Sequence, residues 1–258
     1  MRNILAIAGK EIRTYFTTPI AYLVLAIYAA LCGYFFYSFV ATYVVQMFRM
    51  MEMGQMAGQS PNINTYIVRP LFEGVLTVVL LLLLPLVSMR LFAEERKTGT
   101  IELLLTSPVT EMQIILGKFL GALTLYIAIL VVTFIDVGML FLYGNPDAKP
   151  LIAQALGALL FGGALLSLGM WISSLTRNQI IAAVVSFAVF LLLYVFDWVT
   201  SYSSGTVGRV MNYMAFPTHF DNFSKGVIDS TDLVYYLSVI VLGIFLTSRS
   251  VEALKGRP

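Results

Sequence analysis

The densest chemistry in the chain lies in Glu94-Glu95-Arg96-Lys97-Thr98-Gly99-Thr100-Ile101-Glu102-Leu103-Leu104-Leu105-Thr106-Ser107-Pro108, a charged block wedged between two long apolar runs. Its carboxylates (Glu94, Glu95, Glu102) and cations (Arg96, Lys97) are mixed with Ile101, Leu104 and Leu105. Such an element looks built to be gripped by something soluble. A loop that only joined two membrane helices would need none of it. The punctuation is equally specific. Gly99 interrupts a helix running over 90–98, and Thr100 can cap a new one by accepting an orphan backbone N–H. Ile101, Leu104 and Leu105 then share one face while Glu102 and Thr106 point elsewhere. Pro108 pushes Ser107 out of helical geometry and ends the turn. Thr110-Glu111-Met112-Gln113 reads as a capping box that restarts a helix. The expected element is a helical stub of roughly two turns, fixed between two crossings.

Other chemistry-bearing residues are isolated. Asp136 falls inside an apolar run, where a carboxylate is costly and points either to a polar pathway or to a group bonded at the interface or to a neighbouring helix. Asp197 beside Trp198, and Glu73, read as interfacial. Pro85 loosens its helix, for gating or simply for fit. His219 is the sole histidine, so a multi-histidine metal site is excluded, and it reads as an interfacial or loop residue. Cys32 is the sole cysteine, so no internal disulfide exists. Gly117-Lys118 lacks the Gly-x-x-x-x-Gly-Lys-Ser/Thr frame that cradles phosphates, and neither a zinc-protease nor a serine-hydrolase motif is present. The expectation is a non-catalytic chain that binds no cofactor.

These residues must be positioned by membrane helices. Of 258 residues, 59% are hydrophobic and 12% charged, about half the roughly 25% charge of ordinary soluble domains. Mean hydropathy is +0.87. With so few charges the chain cannot cover a soluble surface, and a net charge of +2 does not suggest nucleic acid. The fold expected is all-α and polytopic, a single membrane domain over 1–258. Apolar runs predict six crossings, at 20–45, 71–89, 114–143, 151–175, 180–198 and 233–248. The first run is too long for a cleavable signal core. With the N-terminus inside, eleven cations face the cytosol: Arg2, Lys10, Arg13, Arg90, Arg96, Lys97, Lys118, Arg177, Arg249, Lys255 and Arg257. Five face out: Arg49, Arg69, Lys149, Arg209 and Lys225. The positive-inside rule therefore places both termini and the 94–108 block in the cytoplasm.

Residues 1–18 predict an interfacial helix, with Ile4, Leu5, Ala8, Ile12, Tyr15 and Phe16 on one side and Asn3, Lys10, Arg13 and Thr14 toward the other. Pro19 turns the chain into the first crossing. Residues 201–232 predict short helices at the outer interface. Glycines at 117, 121, 157, 162, 163 and 169 permit close helix approach, read here as packing within the chain.

Glu95-x-x-x-Gly99-Thr100-x-Glu102-Leu103-Leu104-Leu105-x-x-Pro108-Val109, followed by Ile114-Ile115-Leu116-Gly117-Lys118, resembles the signature of ABC-2 type transporter permeases. Pro217-x-His219-Phe220-x-x-Phe223-x-x-Gly226-Val227-Ile228-Asp229 is similar to the same family, as are the six crossings and the N-terminal helix. Within it, the chain most resembles the gliding-motility-associated and nitrous-oxide-reductase-maturation permeases. The resemblance implies that 94–108 is a coupling helix region, with Glu94, Glu95, Arg96, Gly99, Thr100, Ile101, Glu102, Leu104, Leu105 and Pro108 engaging a separate ATPase, and Pro85 and Asp136 as candidates for gating or pathway. It further implies two ABC ATPase subunits holding ATP and magnesium, a second permease copy or a paralogue, and export across a bacterial or archaeal inner membrane. Two other readings fit the residues: an ion-coupled carrier or channel using Asp136, and a non-transporting ABC-type complex that transmits force.

Overall fold

The computed structural model describes residues 2–53, 62–101, 109–144, 146–200 and 205–255, which are helical with no strand among them. Helix α1 (Arg2–Thr17) leads into α2 (Pro19–Glu52). Two π-helical stretches, Asn64–Val68 and Leu71–Leu76, precede α3 (Thr77–Ser88) and α4 (Arg90–Thr98). Then follow α5 (Glu111–Tyr143), α6 (Ala148–Leu175), α7 (Gln179–Thr200), α8 (Thr206–Met214), α9 (Phe216–Ser224) and α10 (Ser230–Lys255). Among the described residues, six helical segments are long and apolar enough to cross a membrane: Pro19–Glu52, Asn64–Thr98, Glu111–Tyr143, Ala148–Leu175, Gln179–Trp198 and Ser230–Leu254.

Burial sorts these segments into centre and periphery. The apolar windows of the second and fourth are 72% buried within the chain, against 17% for the first and fifth. The core is thus built on the second crossing and α6, with α2 and α7 at the flanks. Small residues on α6 let its neighbours close in: Gly162 lies under the Tyr126 ring of α5, and Gly169 against Ser88 of α3. Tyr126 donates its hydroxyl to the Ala158 carbonyl on the same face. The glycine-rich pattern serves contacts inside one chain.

Several elements run past the limits that apolar runs suggest. The second crossing begins at Asn64 in π-helical form rather than at Leu71. Asn64 anchors it there, donating from Nδ2 to the Asp147 carbonyl at 2.9 Å and accepting from the Asp147 N–H at 3.1 Å. Helix α10 has 26 residues, because the helix continues through Asp232 and Arg249 where a hydropathy scan stops. Residues 206–224 do form two short helices, but α9 is not merely interfacial. Its Phe216, His219, Phe220 and Phe223 are buried, with Phe161 of α6 edge-on to Phe216 and Phe220.

The N-terminal helix buries most of the expected face, with Ile4, Ile12 and Phe16 half-buried and Leu5 the exception. Leu5 is 68% exposed, whereas Ala8 and Tyr15 are buried. The docked stripe includes Ile7 and Glu11, which meet Gly117 and Gly121 of α5: a β-carbon at Gly117 would lie 2.7 Å from Ile7 Cβ, and one at Gly121 would lie 2.6 Å from Glu11 Cβ. The two glycines create a groove that widens the apolar stripe to take in Ile7 and Glu11. Both described chain ends lie at one end of the bundle, called here the near end. There α1 covers the start of α5, and Ser250 of α10 donates to the Ser174 carbonyl of α6 at 3.3 Å.

Candidate functional site

The near end is assembled around a break in the second crossing. Pro85 is buried in α3 and supplies no N–H, and the α-helix stops three residues later. Met89 separates α3 from α4, and one side chain from α6 serves the groups freed there. Ser173 Oγ donates to the Met89 carbonyl at 2.8 Å and accepts from the backbone N–H groups of Phe92 and Ala93, each at 3.1 Å. Arg96 donates to the Ser174 carbonyl. Tyr15 of α1 reaches in to donate to the Val87 carbonyl at 3.1 Å. Burial, helped by nearby Glu11, pushes its phenol far above the ordinary range, so it remains a neutral donor.

Behind α4 lies a buried ion cluster. Lys118 of α5 has a side chain 2% exposed, and its Nζ donates to Glu11 Oε1 of α1 and Glu95 Oε1 of α4, both at 2.8 Å. Phe92 of α4 lies beneath the same ammonium, 5.3 Å to the ring centroid. Lys10 sits 3.7 Å from Glu95. One lysine therefore ties together α1, the helix before the charged turn and the helix after it. Buried charges persist only when paired in this way, and removal of one partner is severe. Arg90 and Glu94 form a bidentate pair along α4, at 2.8 and 3.2 Å.

The turn itself is exposed. Helix α4 ends at Gly99, whose φ of 73° is the left-handed conformation that glycine adopts without a β-carbon penalty. Thr98 and Thr100 hydroxyls meet across it at 2.9 Å. Thr100 and Ile101 are helical again, and Ile101 is buried against the chain's own core rather than presented outward. Glu102, Leu104, Leu105 and Pro108 lie outside the described residues. The restart of α5 is the expected capping box: Gln113 N–H to Thr110 Oγ1, and Thr110 N–H to Gln113 Oε1, each at 3.4 Å. Asn3 of α1 donates to the same Gln113 amide at 3.3 Å.

Of the residues singled out in the sequence, the structure brings Glu94, Glu95 and Arg96 together but directs them inward, onto Arg90, Lys118 and Ser174. Lys118 and Glu11, which hold this arrangement, are not evident from the charged block alone. The available signal was a lysine one position after a glycine, in a Gly-x-x-x-Gly stripe, at the start of an apolar helix. Asp136 stands apart, between α2 and α5. Its Oδ2 is buried without a hydrogen-bond partner, and Tyr28 and Thr133 pair one turn away. His219 lies on helix α9 rather than in a loop, and it is packed inside the chain. It is buried between Asp232 Oδ1 (2.7 Å from Nδ1) and the Tyr213 carbonyl (3.0 Å from Nε2), and stacks on Tyr235 at 3.8 Å.

Six apolar crossings, a docked N-terminal helix and a helix–glycine–helix turn between the second and third crossings define a polytopic α-helical membrane protein. Residues 5–249 match the family described as ABC-2 family transporter protein, and the chain belongs to that family. It is a membrane permease subunit of an ABC transporter, of a kind that works with ABC ATPase subunits. No curated protein matches it.

Proposed function

We propose that the near end faces the cytosol and that its charged turn is the lever by which a separate ABC ATPase drives export through this permease. The excess of cations at that end supports the orientation. The observation that carries the proposal is the Lys118 bridge. A turn exposed at Lys97, Thr98, Gly99 and Thr100 is backed by a buried ion cluster joining α1, α4 and α5, so a push on the turn moves three helices together. Gly99, Thr100, Glu102, Leu104, Leu105 and Pro108 form the contact; Glu94, Glu95 and Arg96 position it from within. Pro85 and the break at Met89 set where α4 can swing relative to α3.

The ATPase holds ATP and magnesium, and two copies close against each other. A second permease copy or a paralogue supplies the other wall of the pathway, since the peripheral α2 and α7 leave large apolar surfaces. ATP binding shifts the permease only as far as it binds one arrangement better than the other. The short connections at the far end support a place near the motility-associated and nitrous-oxide-reductase-maturation permeases.

Replacing exposed Thr100 by arginine tests the contact. The expected result is loss of ATPase co-purification with unchanged thermal stability; normal binding and normal ATPase stimulation would refute it. An ion-driven carrier would instead depend on Asp136, so Asp136→Asn leaves ATP-driven transport intact if the lever reading is right.

A further inference from the structure

At the far end, the start of the second crossing, the start of α6 and the corner between α9 and α10 enclose a cavity of about 170 Å³. Asn64, Arg69, Asp147, Gln154, Ser224 and Lys225 line it. That is far more than the roughly 10–15 Å³ one water needs. Its floor is Gln154, 1% exposed. The amide is fixed, because Nε2 donates to the Ser224 carbonyl at 2.7 Å and a flip would set two acceptors face to face. Gln154 Oε1 is consequently buried with no donor.

The rest of the lining has the same bias. Asp147 has its backbone held by Asn64, yet its carboxylate caps no N–H of α6 and joins no ion pair among the described residues. The cations are already engaged: Arg69 with Glu73 and Asp221, each at 2.8 Å, and Lys225 with Asp221. Donors are used and acceptors are open, so the complementary ligand is a compact, donor-rich cation. The cavity also lies where crossings begin and end, at headgroup height in a bilayer.

We propose that this cavity binds the ethanolamine group of an ethanolamine phosphate, with the primary ammonium on Gln154 Oε1 and the Asp147 carboxylate and the phosphate left outside in water. A choline group has no N–H and cannot satisfy Gln154. The ligand is an aminophospholipid headgroup or its soluble counterpart, and the inference does not depend on the ATPase contact.

The test uses the full-length chain extracted from membranes and stripped of lipid. Its thermal midpoint is titrated with phosphatidylethanolamine, phosphatidylcholine, ethanolamine phosphate and choline phosphate. The ethanolamine forms are expected to raise the midpoint and the choline forms not to. Response to the lipid alone identifies the headgroup, and response to the soluble form identifies a free ligand. Gln154→Leu should weaken the response about tenfold, as loss of one charge-assisted hydrogen bond implies. Asp147→Asn, which removes no internal bond, should weaken it less. Equal responses to ethanolamine and choline, or full responses in both variants, would overturn the assignment and leave water as the partner of Gln154.

Discussion

The two ends of the bundle are both held by ion pairs, but by pairs of different kinds. At the near end Lys118 is 2% exposed, and its partners Glu11 and Glu95 are 12% and 13% exposed. At the far end Arg69, Glu73, Asp221 and Lys225 form a chain of pairs between 33% and 47% exposed. Water screens the second group, so each pair contributes little; the first has no water to fall back on. The helix geometry follows suit. Both ends pack on glycines, Gly117 and Gly121 against α1 and Gly157 against Phe223, but the near end carries a helix break bridged by Ser173, while the far end opens the second crossing in π-helical form. One end joins three helices through buried charges, and the other borders a polar cavity beside exposed ones.

The contrast can be broken most forcefully at Lys118. Lys118→Met leaves Glu11 without its ammonium and Glu95 with only Lys10 at 3.7 Å, and should cost about 3–5 kcal/mol, read as a lowered thermal midpoint and poor yield. The triple variant Glu11→Gln, Glu95→Gln, Lys118→Met should recover most of that loss. A Lys118→Met chain as stable as the parent would mean that the cluster is not what joins the three helices.

Next in size is Gly117→Leu, which drives a side chain into Ile7. It should cost about 1–3 kcal/mol by overpacking and should release α1, seen as faster hydrogen exchange across 2–17. Gly99→Ala sharpens the comparison differently. Nothing lies within 4 Å of a β-carbon there, so its cost of about 1–2 kcal/mol comes from the left-handed backbone alone. It should also weaken ATPase association without disturbing α1 exchange. The smallest effect belongs to the far end: Lys225→Ala should change stability by about 0–1 kcal/mol, measured in the same unfolding assay.

Much of the architecture was legible because a bilayer makes severe demands. Long uncharged runs, Gly99, and the Thr110–Gln113 box each announce a local backbone event, and each corresponds to a feature of the structure. What local pattern cannot carry is the choice of partner. Glu95 and Lys118 are separated by a turn, and Glu11 lies far upstream, so no periodicity links them. Ile101 looked free to dock because helical spacing identifies an apolar face without saying what covers it. His219 looked peripheral because its carboxylate partner, Asp232, begins the next helix. On α1 the expected face docks except for Leu5, while Ile7 and Glu11 join it for a related reason: the groove is cut by glycines on another helix.

The central claim, that the exposed turn at Gly99 is gripped by an ATPase, is tested most directly by photo-crosslinking in native membranes. A crosslinker at Thr100, compared with one at the exposed far-end Tyr213, should capture a protein carrying a phosphate-binding Gly-x-x-x-x-Gly-Lys-Ser/Thr loop from position 100 only. Capture of that protein from position 213, or from neither, would contradict the account.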